Sequence, residues 1–294
     1  MIIVRIPMVA VLCGEPYCTQ DEPIVATTVS RYVTCKIEEG TGLKIIENGK
    51  EVDKREYNGE IISIEEVLGL RIKNVRIEIN YEEPTSKLIG EKVASLVIAF
   101  LLYNGEEKIK YLENGVKEVF NFMKLIKSEL RARLIVRGGT FIYREREGFV
   151  ELSSEVLSKL RWFIMPIVSD VKNIVHKVYD EYVEIMEIIS HGIGHVSLEF
   201  ARAVISNEVR KIPRLVMVNC NLIRALGLVP LRHEEILAKI HALGISCESV
   251  GFERRYVIIV TDKDEDEEAI VKTFKNVLKT QIGVRPHLSI AKEP

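Results

Sequence analysis

The segment Ile6 to Val29, IPMVAVLCGEPYCTQDEPIVATTV, constrains the fold of this chain more than any other. An apolar, strand-like run enters a Gly14-Glu15 corner, crosses a polar loop through Pro16, Gln20 and Asp21, and leaves at Pro23 into a second run, Ile24 to Cys35. Glycine permits the corner and the prolines stiffen the connection, so the pattern reads as two strands joined by a restrained loop. β-Branched alternation over Ile2 to Leu12, Ile24 to Ile37, Leu43 to Glu47 and Val75 to Tyr81 predicts an antiparallel sheet, with turn signals at Gly40-x-Gly42, Asn48-Gly49 and Asn58-Gly59. After Pro84, Ser86 can cap a helix to about Tyr103, and Val116, Val119, Phe120, Met123 and Ile126 recur at helical spacing over Gly115 to Leu130. Arg133 to Val136 and Thr140 to Tyr143 are then expected as strands flanking Gly138-Gly139.

The pattern changes near Glu151 to Ser158, which divides the chain into residues 1–155 and 156–294. The second part reads as a strand at Phe163 to Val168, then a long helix capped by Ser169 or Asp170 with Val171, Ile174, Val175, Val178 and Tyr182 on one face. Helices from about Val196, Leu215 and His233 precede strands at Ile245 to Val250 and Tyr256 to Thr261. Asp264 to Glu268 opens a last helix with Lys272, Lys275 and Lys279 toward its end, charges that oppose the macrodipole, so the acidic run reads as a helix start rather than a metal site. His191 and His195 have the i, i+4 spacing of a metal pair, but Gly192 and Gly194 between them suggest the junction of two helices, and no third ligand is visible.

Composition narrows the class. The chain has 294 residues, 47% hydrophobic and 29% charged, enough for a sizeable core and two lobes. Val93 to Tyr103, the longest apolar stretch, is too short to span a bilayer, and the N-terminus has no signal-peptide pattern, so a soluble cytoplasmic protein is expected. A net charge of −2 gives no field for nucleic acid or an anionic membrane, and neither partner is expected. The series Arg131, Arg133, Arg137, Arg144 and Arg146 reads as a solvated sheet edge. Five scattered cysteines suit reduced core thiols, with a Cys13–Cys18 bridge left open; glutamine occurs only at Gln20 and Gln281, a bias associated with hot environments.

Three frames in order along the chain resemble the GHMP kinase superfamily, mevalonate kinases above all. Pro7 to Glu15 followed by Glu22-Pro23-Ile24-Val25-Ala26 is similar to that family's Pro-Gly-Lys-Val-x-Leu-x-Gly-Glu-His and Lys-Pro-Ala-Ile-Ala. Arg137-Gly138-Gly139-Thr140-Phe141 is similar to its Tyr-Gly-Gly hairpin, and Met217-x-Asn219 through Leu226-Gly227-Leu228 to its Met-x-x-Asn-x-x-Leu-Leu-x-x-Leu-Gly helix. The resemblance implies an α+β fold with an N-terminal lobe like ribosomal protein S5 domain 2, a ferredoxin-like C-terminal lobe, and sites for ATP, magnesium and a small alcohol.

The family's chemical residues do not carry over. Its motif-one lysine falls on Val9, the glycine before it on Met8 and its histidine on Pro16, leaving Glu15. Its phosphate loop falls on Pro84 to Ala94, where Leu88 replaces a glycine and Glu91-Lys92 replaces the serine pair beside Gly90. Such a loop needs converging backbone N–H groups at a helix start, and a carboxylate there opposes a polyanion. The catalytic aspartate position, seven residues before Gly138, is Arg131, which cannot act as a base; Glu129 reaches it only by a register shift. The third glycine motif falls on Val250-Gly251-Phe252-Glu253-Arg254-Arg255.

The expectation is therefore a scaffold that has lost phosphoryl transfer and binds a small molecule or a protein partner, with a homodimer contact possible and no cofactor. The alternative is a divergent kinase using ATP and magnesium, with Glu15, Gly90, Glu91, Lys92, Arg254 and Arg255 in rearranged roles. In the first case Glu91 and Glu15 should pair with Lys92, Arg131 and Arg254.

Overall fold

Strand β1 (Ile2–Cys13) is buried almost continuously from Ile6 onward, whereas β2 (Ile24–Glu39) changes from full burial to alternation along its length. The corner after β1 is a glycine for a physical reason. Gly14 has φ +95°, and a Cβ there would lie 2.9 Å from the Cα of Ile24. The structure, a computed structural model, describes residues 1–14, 22–82, 89–105, 109–123, 128–167, 183–227, 229–250 and 256–290. These pack into two compact units, one of residues 1–9, 30–138 and 284–294 and the other of residues 10–29 and 139–283.

The first unit contains β3 (Lys44–Glu47), β4 (Lys50–Glu51), β5 (Val75–Tyr81) and β12 (His287–Ile290), in the sheet order β12-β1-β2-β5-β3-β4. Asn48 (φ 46°) and Gly49 (φ 77°) make the tight turn between β3 and β4, as their sequence suggests. The sheet is not wholly antiparallel. β3 runs parallel to β5, with Lys44 opposite Arg76 and Glu47 opposite Ile79. The connection between them is long enough for a crossover, because Asn58-Gly59 opens helix α1 (Asn58–Leu68) after a 3-10 turn at Lys54–Tyr57 instead of closing a hairpin. Helices α2 (Ile89–Tyr103), α3 (Ile109–Phe122) and α4 (Ser128–Arg137) complete the unit.

The α4 segment corrects two expectations. The helix foreseen over Gly115 to Leu130 is two helices, and Arg133 to Val136 is helical rather than a strand. Leu130 and Leu134 are buried one turn apart, and Gly138, in the left-handed region at φ 69°, follows the last turn. The hairpin is instead β6 (Thr140–Arg144) with β7 (Gly148–Leu152), turning at residues 145–147.

In the second unit β6 pairs with Ile24–Thr27 of β2. A separate antiparallel sheet has the order β11-β8-β10-β9, built from β8 (Arg161–Pro166), β9 (Ser246–Val250), β10 (Tyr256–Thr261) and β11 (Leu278–Thr280). Phe163, Met165, Val257 and Ile259 from this sheet pack on Cys220, Leu237, Ile240 and Ile270 from the helices. Among the described residues the helices of this unit are the short α5 (Ser154–Leu157), α6 (Val183–Ile205), α7 (Lys211–Ala225), α8 (Leu231–Ala242) and α9 (Asp264–Thr273); Cys220 lies on α7, Leu237 and Ile240 on α8 and Ile270 on α9, while Met186 and Ile193 of α6 pack on Ile223 and Leu226. The helix expected over residues 169–182 lies outside the described residues. Asp264, Glu265, Asp266 and Glu267 occupy the first turn of α9, as their sequence suggests. That helix stops at Thr273, so Lys275 and Lys279 lie beyond it, and Lys279 in β11 instead pairs with Glu267 at 2.6 Å.

Candidate functional site: a buried ion pair at the start of a helix

Helix α2 begins at Ile89, and its third residue, Glu91, is completely buried. A buried carboxylate requires partners. The backbone N–H of Val9, on β1, donates to Glu91 Oε1 at 3.1 Å. The guanidinium of Arg131, on α4 and only 3% exposed, donates through Nη2 to Glu91 Oε2. These three residues are the positions on which the resemblance placed a serine of the phosphate loop, the motif-one lysine and the catalytic aspartate. They meet, with the polarity reversed: a carboxylate stands for a hydroxyl, and a guanidinium for a carboxylate.

Gly90 belongs to the same arrangement. A Cβ at this position would collide with the Arg131 guanidinium, so the missing side chain makes room for arginine. A glycine held open toward backbone N–H groups would suit phosphate, but this one is covered. Arg131 is therefore no part of a solvated arginine edge, and its neighbours on α4 are paired as well. Arg133 and Arg137 both reach Glu113, at 3.4 and 2.8 Å, and Arg144 on β6 reaches Glu147 at 2.6 Å. Glu129 is half exposed and pairs with Lys117 at 3.6 Å.

Lys92 does not join Glu91. Adjacent helical residues point about 100° apart, and Lys92 turns to a different wall, where its Nζ lies 2.5 Å from Glu47 Oε1 and 4.7 Å from the ring centre of Tyr81. Glu47 also accepts from the hydroxyl of Tyr57 at 2.7 Å and from that of Tyr81 at 2.5 Å. Burial pushes the Glu47 carboxyl up, but the hydrogen bonds from Lys92, Tyr81 and Tyr57 outweigh it and hold the group below its ordinary range. Burial first, and the Glu47 carboxylate beside it, push the Tyr57 hydroxyl far up, so it stays a donor. Sequence reading missed Glu47, because nothing in a short alternating strand marks one exposed-looking glutamate as the end of a lysine and two tyrosines.

In the second unit, the Gly14 N–H donates to Asn219 Oδ1 at 3.0 Å, and Asn219 Nδ2 donates to Glu248 Oε2 at 2.8 Å. Asn219 and Glu248 are fully buried, so the corner after β1 is tied to α7 and β9. Burial, with the Glu248 charge as a smaller cause, raises the thiols of Cys13 and Cys247 well above the ordinary value, which leaves them as packing groups rather than thiolate nucleophiles. Cys13, Cys35, Cys220 and Cys247 are buried thiols not joined in disulfides, and Cys18 lies outside the described residues. Glu248 was the other omission, although a lone carboxylate in the strand Ser246-Cys-Glu-Ser-Val is a visible signal.

His191 and His195 sit within one unbroken helix, α6, and not at a junction. Gly194 allows the Glu22 carboxylate to approach, since a Cβ there would collide with Glu22 Oε2, and Glu22 Oε1 lies 2.5 Å from His191 Nδ1. Among the described residues no group of three or more His, Cys, Asp or Glu side chains could hold a metal ion. Glu15, Leu88, Phe252, Arg254 and Arg255 lie outside the described residues. No helix among the described residues is long and apolar enough to cross a membrane.

No protein-family model matches the sequence, and no curated protein matches it. Solved structures do match in fold. The L. major mevalonate kinase in complex with R-mevalonate superposes with a TM-score of 0.76 at 15% identity, covering 96% of this chain and 95% of that one. The Methanococcus jannaschii mevalonate kinase gives 0.75 at 16% identity over 95% and 98%. The mevalonate diphosphate decarboxylase from Staphylococcus aureus gives 0.68 at 14% identity over 99% of both. The chain thus has the α+β GHMP kinase fold that its sequence frames implied.

Proposed function

We propose that this protein is a mevalonate-kinase-like GHMP scaffold that has lost phosphoryl transfer and works by binding a small molecule or a protein partner in the cytoplasm. The observation that carries this reading is the buried Glu91–Arg131 pair capped by the Val9 N–H. Phosphoryl transfer depends on positioning and on stabilising charge around the γ-phosphate, with a base or orienting group at the attacking oxygen. Arg131 has no acceptor to offer and keeps its proton, so it cannot take one from a hydroxyl. Glu91 faces a guanidinium and a backbone donor, both of which its carboxylate already uses, so a magnesium ion would have to displace Arg131 to reach it. These residues do not fit a magnesium nucleotide.

Calorimetric titration with ATP, with and without magnesium, tests the reading. We expect no magnesium-dependent binding tighter than about the millimolar range. Saturable, magnesium-dependent binding followed by phosphorylation of mevalonate would replace this reading with that of a divergent ATP-dependent kinase.

A further inference from the structure

Beside α2 the first unit has a half-open cavity of about 150 Å³, lined by Glu47 and Lys92, by the apolar side chains of Val93 and Leu96, and by Tyr57 with Glu56 and Glu60. A cavity of ~150 Å³ is large enough to bury a benzene-sized group of about six heavy atoms. Its electrostatics follow from the clamp on Glu47. Lys92 is held at 2.5 Å by Glu47 and lies over Tyr81, so its charge is spent on that carboxylate. Among the described residues Glu56 and Glu60 have no cationic partner, and Glu60 is near enough to contribute to the upward push on the Tyr57 hydroxyl. The space therefore combines an apolar wall, an aromatic ring and two uncompensated carboxylates at its rim, and the one lysine at its edge is neutralised. An anion entering it would meet net negative charge at short range; a cation with a short apolar stem would find complementary surface on both counts.

We propose that this cavity is a binding site for a small organic ammonium ion, with the ammonium toward Glu56 and Glu60 and a stem of about four to six atoms against Val93, Leu96 and Tyr57. The site is independent of the lost-kinase reading, which is tested with ATP and would survive failure here.

Three probes of one shape test it: n-butylammonium, 1-butanol and butyrate, titrated into the full chain while methyl NMR signals of Val93 and Leu96 are followed. We expect saturable shifts with n-butylammonium at about millimolar concentration, weaker binding of 1-butanol, none of butyrate, and weakening of the ammonium complex by added salt. Glu56 is exposed and Glu60 half-buried, so Glu56→Gln with Glu60→Gln leaves the fold intact by circular dichroism and should weaken the ammonium at least about fivefold without changing 1-butanol binding. Equal affinity for 1-butanol would reduce the site to an apolar hole, and preference for butyrate would mean that Lys92 is free to act as an anion site. Either result, or no shift with any probe, overturns the proposal.

Discussion

Arg131 and Glu91 are each tolerable in the interior only because of the other. Arg131→Met leaves a fully buried carboxylate without its counter-charge, and breaking such a pair costs about 3–5 kcal/mol. Adding Glu91→Gln should recover most of that loss, because a neutral, well-packed replacement of a buried pair is often nearly neutral overall. Chemical denaturation of both single variants and the double variant measures the coupling, and losses that simply add would show that the two side chains do not depend on each other. Gly90→Ala gives a reversed sign. In a helix the change ordinarily gains up to about 1 kcal/mol, yet here the new methyl meets the Arg131 guanidinium, so stability should fall, and rise again in an Arg131→Ala background. Glu47 sets a pH dependence. Its folded pKa lies below the ordinary 4.5, so it contributes stability above its unfolded value, and that contribution disappears as pH falls through the folded one. Glu47→Gln should be less stable than the parent at neutral pH and lose less on acidification, the two converging once pH has fallen through the folded value.

At the scale of elements, α6 offers the sharpest contrast between neighbouring positions. A Cβ on Gly192 would meet Leu222 at 3.5 Å, an ordinary van der Waals contact, whereas one on Gly194 would collide with the Glu22 carboxylate. Gly192→Ala should therefore stabilise by roughly 0.5–1 kcal/mol from helix propensity alone, and Gly194→Ala should destabilise; thermal melts of the two variants decide it, and the same sign for both would contradict the packing described for Glu22. This helix also shows what is legible in a sequence. Two glycines bracketing Ile193 read as a break because propensity is local, but Glu22, the residue that makes Gly194 necessary, is distant in the chain. Leu130 and Leu134 carried a helical signal that the arginines between and after them obscured. The strands β1, β2, β3, β5, β9 and β10 were legible because alternation and β-branching are local properties, while the parallel pairing of β3 with β5 depended on reading α1 where Asn58-Gly59 signals a turn. At the candidate site, the identities of Val9, Glu91 and Arg131 were visible in register with the family's motifs, but that they touch required β1, α2 and α4 to be folded together. Lys92 was misjudged because its partner, Glu47, comes from a strand that carries no motif.

For the molecule as a whole, fold and activity have to be kept apart, since one architecture hosts many chemistries and function resides in the site placed on it. Here the solved structures of similar fold include kinases and a decarboxylase, and at 14–16% identity they show the architecture alone. Thermal unfolding gives a reading that does not depend on knowing the true ligand. A ligand that binds only the folded state stabilises it by RT ln(1 + [L]/Kd), so ATP at about three times a millimolar Kd contributes under ~1 kcal/mol. For a chain of this length ~1 kcal/mol moves Tm by about 2 °C. We therefore expect ATP with magnesium to raise Tm by less than about 2 °C, and the same nucleotide without magnesium to behave alike, because the carboxylate that would meet the metal is already held by Arg131. A rise several times larger that vanishes with a chelator would mean that Arg131 swings away from Glu91 when nucleotide arrives, and the buried pair would then be a resting state of an active phosphate site rather than its replacement.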